Sequence, residues 1–162
     1  SLLAKQYSRI AGFEANGGFL LGSDIDLAGK PLAALPTRDA VLPFLMLLSA
    51  AGKGTISPLV DALPARYTHS DRIQHFATDR SKAILAEGLR NPQDLLVKLG
   101  FNDAQVILVD TTDGLRLTLS HGCIIHLRPS GNAPELRCYA EADNMAKAQA
   151  LVEQVLNHVM LL

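Results

Sequence analysis

Between two strand-like runs the chain reads Arg128-Pro129-Ser130-Gly131-Asn132-Ala133-Pro134-Glu135-Leu136-Arg137, a concentration of anion-binding donors that no other ten residues match. Arg128 and Arg137 carry planar guanidinium forks whose N–H pairs suit two oxygens of one phosphate. Ser130 and Asn132 add short side-chain donors, and Gly131 keeps the backbone bare between them. A Ser-Gly-Asn turn can aim successive backbone N–H groups at one point, making a concave anion site that needs no metal. Pro129 and Pro134 stiffen the two ends, so less loop entropy is lost when a ligand binds. A single arginine beside a turn is ordinarily a solvated surface residue; two forks, a hydroxyl, a glycine and flanking prolines together point to a phosphate clamp.

A second glycine-rich segment, Gly12-Phe13-Glu14-Ala15-Asn16-Gly17-Gly18-Phe19, offers Glu14 and Asn16 as groups able to read hydroxyls, with a hairpin that only turns the chain as the alternative. Other signals are weaker. Asp24 and Asp26 lack a third ligand and read as a loop or cap pair, so no metal site is expected in this chain. Gly52-Lys53-Gly54-Thr55 follows a helix pattern and lacks the glycine spacing of a nucleotide-binding loop. The histidines His69, His75, His121, His126 and His158 show no paired zinc spacing, and His126, in the strand beside the clamp, reads as structural. Arg9, Lys30 and Arg38 lie near the second loop, and nothing in the sequence selects among them.

The elements that must hold these loops can be read from periodicity. Residues 7–13 and Phe19-Leu20-Leu21 pair as a hairpin around the glycine-rich turn. Thr37 is expected to cap a helix starting near Arg38, with Asp39 complementing its amino-terminal dipole and Gly52 ending it. A short helix over 55–63 follows. Residues 64–76 are polar and aperiodic, as in an interdomain connection containing one strand, which places the boundary near residue 70. Helices are predicted over 78–88 and 92–99, the second with Asn91 as cap and Pro92 in its first turn. Leu115, Leu117 and Leu119 alternate with polar residues, and the Asp113-Gly114 and His121-Gly122 turns flank that strand. Cys123, Ile125 and Leu127 share one face of the next strand, and Leu136, Cys138 and Ala140 one face of another. Arg137 therefore points away from the core, to the side where Arg128 emerges. Met145, Ala148, Val152, Val155, Leu156 and Val159 recur at helical spacing behind Asp143-Asn144. The fold class is α+β: a partial α/β remnant over 1–69, then over 70–162 a small α+β domain with an antiparallel sheet covered by helices.

Of the 162 residues 48% are hydrophobic and 19% charged, with a net charge of −1, a balance that excludes general attraction to nucleic acid or anionic membrane. The apolar run Val41-Leu42-Pro43-Phe44-Leu45-Met46-Leu47-Leu48 is far below the ~20 residues of a membrane span and reads as a buried helix. Cys123 and Cys138 lack metal-ligand spacing, so reduced, buried thiols and a cytoplasmic protein are expected, with a disulfide between neighbouring strands as the alternative. The first residues lack a secretory pattern and run at once into a functional-looking loop, as expected for the carboxy-terminal piece of a larger enzyme.

The clamp segment, followed by Cys138-Tyr139-Ala140-Glu141-Ala142, resembles the phosphate-binding loop in the last domain of the α-D-phosphohexomutases, usually Arg-Ala/Pro-Ser-Gly/Asn-Thr-x-Pro before a strand carrying Arg. Asn132 stands for the common Thr and Ala133 for the common Glu. The glycine-rich segment resembles the family's sugar-binding loop, Gly-Glu-x-Ser-Gly-His, with Glu14 on the Glu, Asn16 on the Ser, Gly17 on the Gly and Gly18 in place of the His. The resemblance covers the end of the family's third domain and all of its fourth. It implies an isomerase, an intramolecular phosphotransferase that interconverts hexose 1-phosphate and hexose 6-phosphate through a bisphosphorylated intermediate. It assigns phosphate to Arg128, Ser130, Gly131, Asn132 and Arg137, and sugar hydroxyls to Glu14, Asn16 and Gly17. It places the phosphoserine and the Mg²⁺ ligands of the full-length enzyme in preceding domains, so this chain carries no catalytic residue, binds no metal and is expected to be inactive alone. The Asn-Gly-Gly loop is nearer to phosphomannomutase-like members, with phosphoglucomutase or phosphoglucosamine mutase specificity, or a non-catalytic phosphosugar-binding module, as alternatives.

Overall fold

The computed structural model describes residues 7–14, 17–35 and 37–162. The chain divides into two compact units, Ser1–Leu63 and Pro64–Leu162. Among the described residues no helix is long and apolar enough to cross a membrane.

In the first unit β1 (Ala11–Phe13) and β2 (Phe19–Leu21) form an antiparallel hairpin, as do β3 (Ile25–Leu27) and β4 (Lys30–Leu32). Asp26 accepts the Gly29 N–H at 2.6 Å across the second turn, and Asp24 accepts the Ala34 N–H at 2.7 Å, so both carboxylates hold backbone. Helix α1 spans Val41–Ala51 and α2 Ser57–Asp61. The start of α1 departs from the Thr37 cap expected at Arg38. Asp39 caps it instead, accepting the N–H groups of Val41 at 2.7 Å and Leu42 at 3.1 Å. The reason lies at Pro43: a helix begun at Arg38 would place the proline ring beyond the first turn, against the carbonyl four residues back, whereas a start at Val41 puts it where no intrahelical donor is needed. None of the residues of α1 is buried, and Phe44, Leu45 and Leu47 are about half exposed, unlike the buried helix its composition predicts.

The second unit is a five-stranded, wholly antiparallel sheet in the order β5-β9-β8-β7-β6. Its elements are β5 (Tyr67–Gln74), α3 (Thr78–Arg90), α4 (Pro92–Lys98), β6 (Val106–Asp110), β7 (Leu115–Leu119), β8 (Ile124–Pro129), β9 (Glu135–Ala142) and α5 (Met145–Val159). Tyr67, Thr68 and His69, ahead of the boundary expected from composition, already pair with Ala142, Glu141 and Ala140 of β9. Asn91 caps α4 through the Asp94 N–H, and Asn144 caps α5 through the Lys147 N–H at 2.8 Å. At the other end of α5, Arg80 donates to the Met160 carbonyl at 2.9 Å while its guanidinium lies 4.8 Å from the Phe76 ring centre.

Alternation decides the two faces of this sheet. Leu115, Leu117, Leu119, Ile125, Leu127, Leu136, Cys138 and Ala140 are buried under the helices, against Leu95, Leu99, Val152, Val155 and Val159. The residues between them on β8 and β9, His126, Arg128, Glu135, Arg137 and Tyr139, remain partly exposed on the other face. Met145 is half exposed, so the apolar stripe of α5 begins at Ala148. Both cysteines are buried as free thiols. Burial, with the nearby Asp71 carboxylate adding to it, pushes the Cys138 thiol from 9.0 up to about 12. A thiol whose folded pKa is raised gives stability that is complete below its unfolded value and lost as pH climbs to the folded one. The unfolding free energy in urea is therefore expected to fall between pH 9 and about 12, and Cys138→Ala to shallow that decline; equal slopes in both proteins would contradict the assignment.

Candidate functional site

The register of β8 against β9 sets Arg128 directly opposite Arg137, at the end of the strand pair that leads into the loop 130–134. Both side chains fall on the open face because Leu127 and Cys138, the pair behind them, are buried. Loop geometry follows from a few backbone bonds. Ser130 N–H donates to the Glu135 carbonyl at 2.9 Å, Glu135 N–H to the Ala133 carbonyl at 2.8 Å, and Phe76 N–H to the Pro134 carbonyl at 2.8 Å. Asn132 N–H is 3.5 Å from the Ser130 hydroxyl oxygen, and the Gly131 backbone is exposed with open space where a Cβ would be. The structure thus brings Arg128, Ser130, Gly131, Asn132 and Arg137 to one rim of the sheet.

Both guanidiniums are held by carboxylates. Arg128 Nε lies 3.0 Å from Asp113 Oδ1, and Arg137 Nη2 3.5 Å from Glu135 Oε2, which also takes Arg72 Nη1 at 3.5 Å. A hydrogen bond to Tyr139 and then the Glu135 carboxylate hold Arg137 above its already high ordinary value, so it is a permanent cation. The Arg128–Asp113 pair is wet, its side chains 43% and 61% exposed, whereas the Glu135 side chain is only 13% exposed. Exposed pairs contribute at most ~1 kcal/mol, whereas each charge-assisted hydrogen bond to a phosphate contributes about 1.5–3 kcal/mol. The exposed Asp113 carboxylate therefore leaves the Arg128 fork exchangeable.

Asp113 reaches Arg128 because the turn after β6 folds down onto β8. Its carbonyl accepts a hydrogen bond from His126 Nε2, which accounts for His126 structurally, together with its ring packing 5.5 Å from Tyr139. Gly114 makes this approach possible: its φ is +99°, and a Cβ there would run into the Leu127 carbonyl and crowd the Arg128 Cα at 3.2 Å. At the start of the same turn Asp110 accepts the Thr112 N–H at 2.8 Å, and bonding to Thr112 lowers its pKa.

In the first unit Gly17 takes φ +87°, its N–H bonding the Glu14 carbonyl at 3.0 Å, while Glu14 N–H bonds the Gly18 carbonyl at 2.8 Å. Glu14 and Arg38 form a 2.7 Å ion pair and, with Gly12, Phe13, Gly18 and Leu20, line a cavity of about 190 Å³. Asn16 lies outside the described residues. Arg38 is the cation that the structure joins to this loop, a choice sequence spacing does not make. Sequence reasoning also missed Arg72, Ser70 and Tyr139, which with Asp71 and Arg137 line a cavity of about 370 Å³ on the second unit. The only signal for Arg72 is its place in a polar strand whose register the sequence does not show. Among the described residues no group of three or more His, Cys, Asp or Glu side chains is placed to hold a metal ion.

Residues 70–158 match the family described as phosphoglucomutase/phosphomannomutase, C-terminal domain. The chain is 52% identical over 157 residues to a phosphomannomutase of Salmonella muenchen, covering 97% of this chain and 33% of the relative. It is 43% identical over 167 residues to a phosphomannomutase of Sinorhizobium fredii, covering 98% and 34%. A phosphoglucomutase/phosphomannomutase of Thermococcus kodakarensis is 32% identical over 147 residues, covering 88% and 26%. The chain thus spans about a third of the length of the first two relatives.

Two substitutions separate the parts of the turn. Gly114→Ala is expected to destabilise the chain by about 1–3 kcal/mol in urea unfolding, through its left-handed backbone and the blocked approach to β8. Asp113→Ala, which removes only an exposed ion pair, is expected to cost no more than about 1 kcal/mol in the same measurement.

Proposed function

The chain belongs to the phosphoglucomutase/phosphomannomutase family, and from that membership we propose that it is the phosphosugar-binding carboxy-terminal part of a phosphomannomutase-like phosphohexomutase. The observation that carries the reading is the cross-strand pairing of Arg128 with Arg137 at the mouth of the loop 130–134. Two forks side by side beside a short donor loop suit a phosphate monoester, and the exposure of the Arg128–Asp113 pair leaves that fork exchangeable. Mannose phosphates are the proposed substrates because both relatives that match nearly the whole chain carry the name phosphomannomutase.

In this reading the complete enzyme moves a phosphoryl group between the 1- and 6-positions of a hexose through a bisphosphorylated sugar. Arg128, Ser130, Gly131, Asn132 and Arg137 hold the phosphate that is not reacting. Glu14, Asn16 and Gly17 read sugar hydroxyls, with Arg38 orienting the Glu14 carboxylate through their ion pair. Transfer itself needs a phosphoryl carrier, a general acid and base, and Mg²⁺ to neutralise developing charge. These belong to other parts of a longer polypeptide, so the 162 residues alone bind phosphosugar without turning it over. The same longer polypeptide covers the apolar sides of α1, a helix too hydrophobic to remain half exposed in a working protein. The enzyme works in the cytoplasm, where buried free thiols such as Cys123 and Cys138 stay reduced.

Arg128→Ala in the complete enzyme is expected to raise KM for mannose 6-phosphate by about ten- to a hundredfold. Steady-state kinetics checks this, and an unchanged KM and kcat would remove Arg128 from the site.

A further inference from the structure

Arg72 of β5 stands directly opposite Arg137 of β9, which in turn stands opposite Arg128 of β8. Three guanidiniums therefore form one row across three adjacent strands on the open face, with neighbouring Cα atoms about 4.5–5.5 Å apart. Like charges placed opposite one another on a sheet are destabilising. Elsewhere on this face the arginines are arranged the other way. Glu141 sits on β9 between Arg116 and Arg66, its carboxylate 3.2 Å and 3.5 Å from them, so the centre of that cluster is the anion. In the Arg72 row the centre is itself a cation, and its carboxylate, Glu135, comes from two residues along β9 and is shared between two forks at 3.5 Å each.

The space beside this row is open. A cavity of about 370 Å³ is lined by Ser70, Asp71, Arg72, Arg137 and Tyr139, with Arg128 on the far side of Arg137, outside the lining. Two guanidiniums, a hydroxyl and a phenol supply hydrogen-bond donors from the walls. Asp71 enters the lining between Ser70 and Arg72, but it pairs with the buried Cys138, so its side chain belongs to the opposite face of the sheet; its Oδ1 accepts the Arg72 N–H at 2.7 Å. The Ser70 and Tyr139 hydroxyls can each donate to and accept from the hydroxyl groups of a ligand, so the lining suits an anion carried on a hydroxylated body.

We propose that this cavity is a second half of the phosphosugar site, in which Arg72 and Arg137 grip a phosphate monoester while Ser70 and Tyr139 contact the hydroxyls of the polyol that bears it. The ligand class rests on the function proposed above; the cavity and the row do not. Arg137 is common to the loop side and the cavity side, and Arg72 belongs to the cavity side alone.

The test follows the Nε–Hε signals of Arg72, Arg128 and Arg137 by NMR as the 162-residue chain is titrated with mannose 6-phosphate, with sodium chloride of equal ionic strength as control. The Arg72 signal is expected to shift with the sugar phosphate and not with chloride. Arg72→Ala is expected to weaken binding about tenfold. Inorganic phosphate is expected to bind more weakly than the sugar phosphate. Movement of Arg128 with Arg72 unmoved would overturn the cavity and leave the loop clamp standing. Movement of Arg72 with Arg128 unmoved would keep the cavity and remove the loop clamp. If neither moves, both fall. If both move but Arg72→Ala binds as tightly as the parent, the cavity role is lost. Because Arg72 is an exposed residue of an edge strand, the variant is expected to keep the parent's amide spectrum away from β5 and β9.

Discussion

The register of β8 against β9, with Leu127 opposite Cys138 and Arg128 opposite Arg137, is the constraint from which the face of the second unit follows. A strand has a side-chain period of two, so a slip of one residue would carry Arg137 into the core and bring Cys138 to solvent. Leu127, Leu136, Cys138 and Ala140, at most 1% exposed, resist that slip. Burial on one face thereby orders cations on the other. The arginines take their positions from apolar neighbours that never meet a ligand.

Ordering cations in this way has an electrostatic cost that solvent and carboxylates offset. Asp113 meets Arg128 in an exposed pair that salt screens easily, whereas Glu135, its side chain 13% exposed, holds Arg72 and Arg137 from a largely buried position. Phe76, bonding the Pro134 carbonyl, ties the loop 130–134 to the start of the helical layer.

In the first unit the same physics runs in the other direction. The Glu14 loop is turned by a glycine at positive φ and its carboxylate is met by Arg38, so local chemistry is well defined there. Its helix α1, by contrast, buries none of its residues and displays apolar side chains all round. A helix of that composition takes its stability from packing more than from propensity.

Much of this was legible in the residues. The clamp loop shows itself through residue types at fixed spacing, and Leu115, Leu117 and Leu119 reveal their strand by strict alternation, because burial on one face imposes period two. The Asn91 and Asn144 caps are local and short-range, so they too could be read directly. The start of α1 was harder, because Thr37 and Asp39 are both competent caps two residues apart and only the fit of Pro43 decides between them. Arg72 could not be found at all: β5 is a polar edge strand without alternation, and its partner is more than sixty residues away. Sequence by itself determined which groups could bind an anion and which faces had to be buried, since both depend on side-chain chemistry and local period. Tertiary structure alone decided that Arg72 joins Arg128 and Arg137, because the register of β5 against β9 is set by the packing of a core assembled from distant parts of the chain.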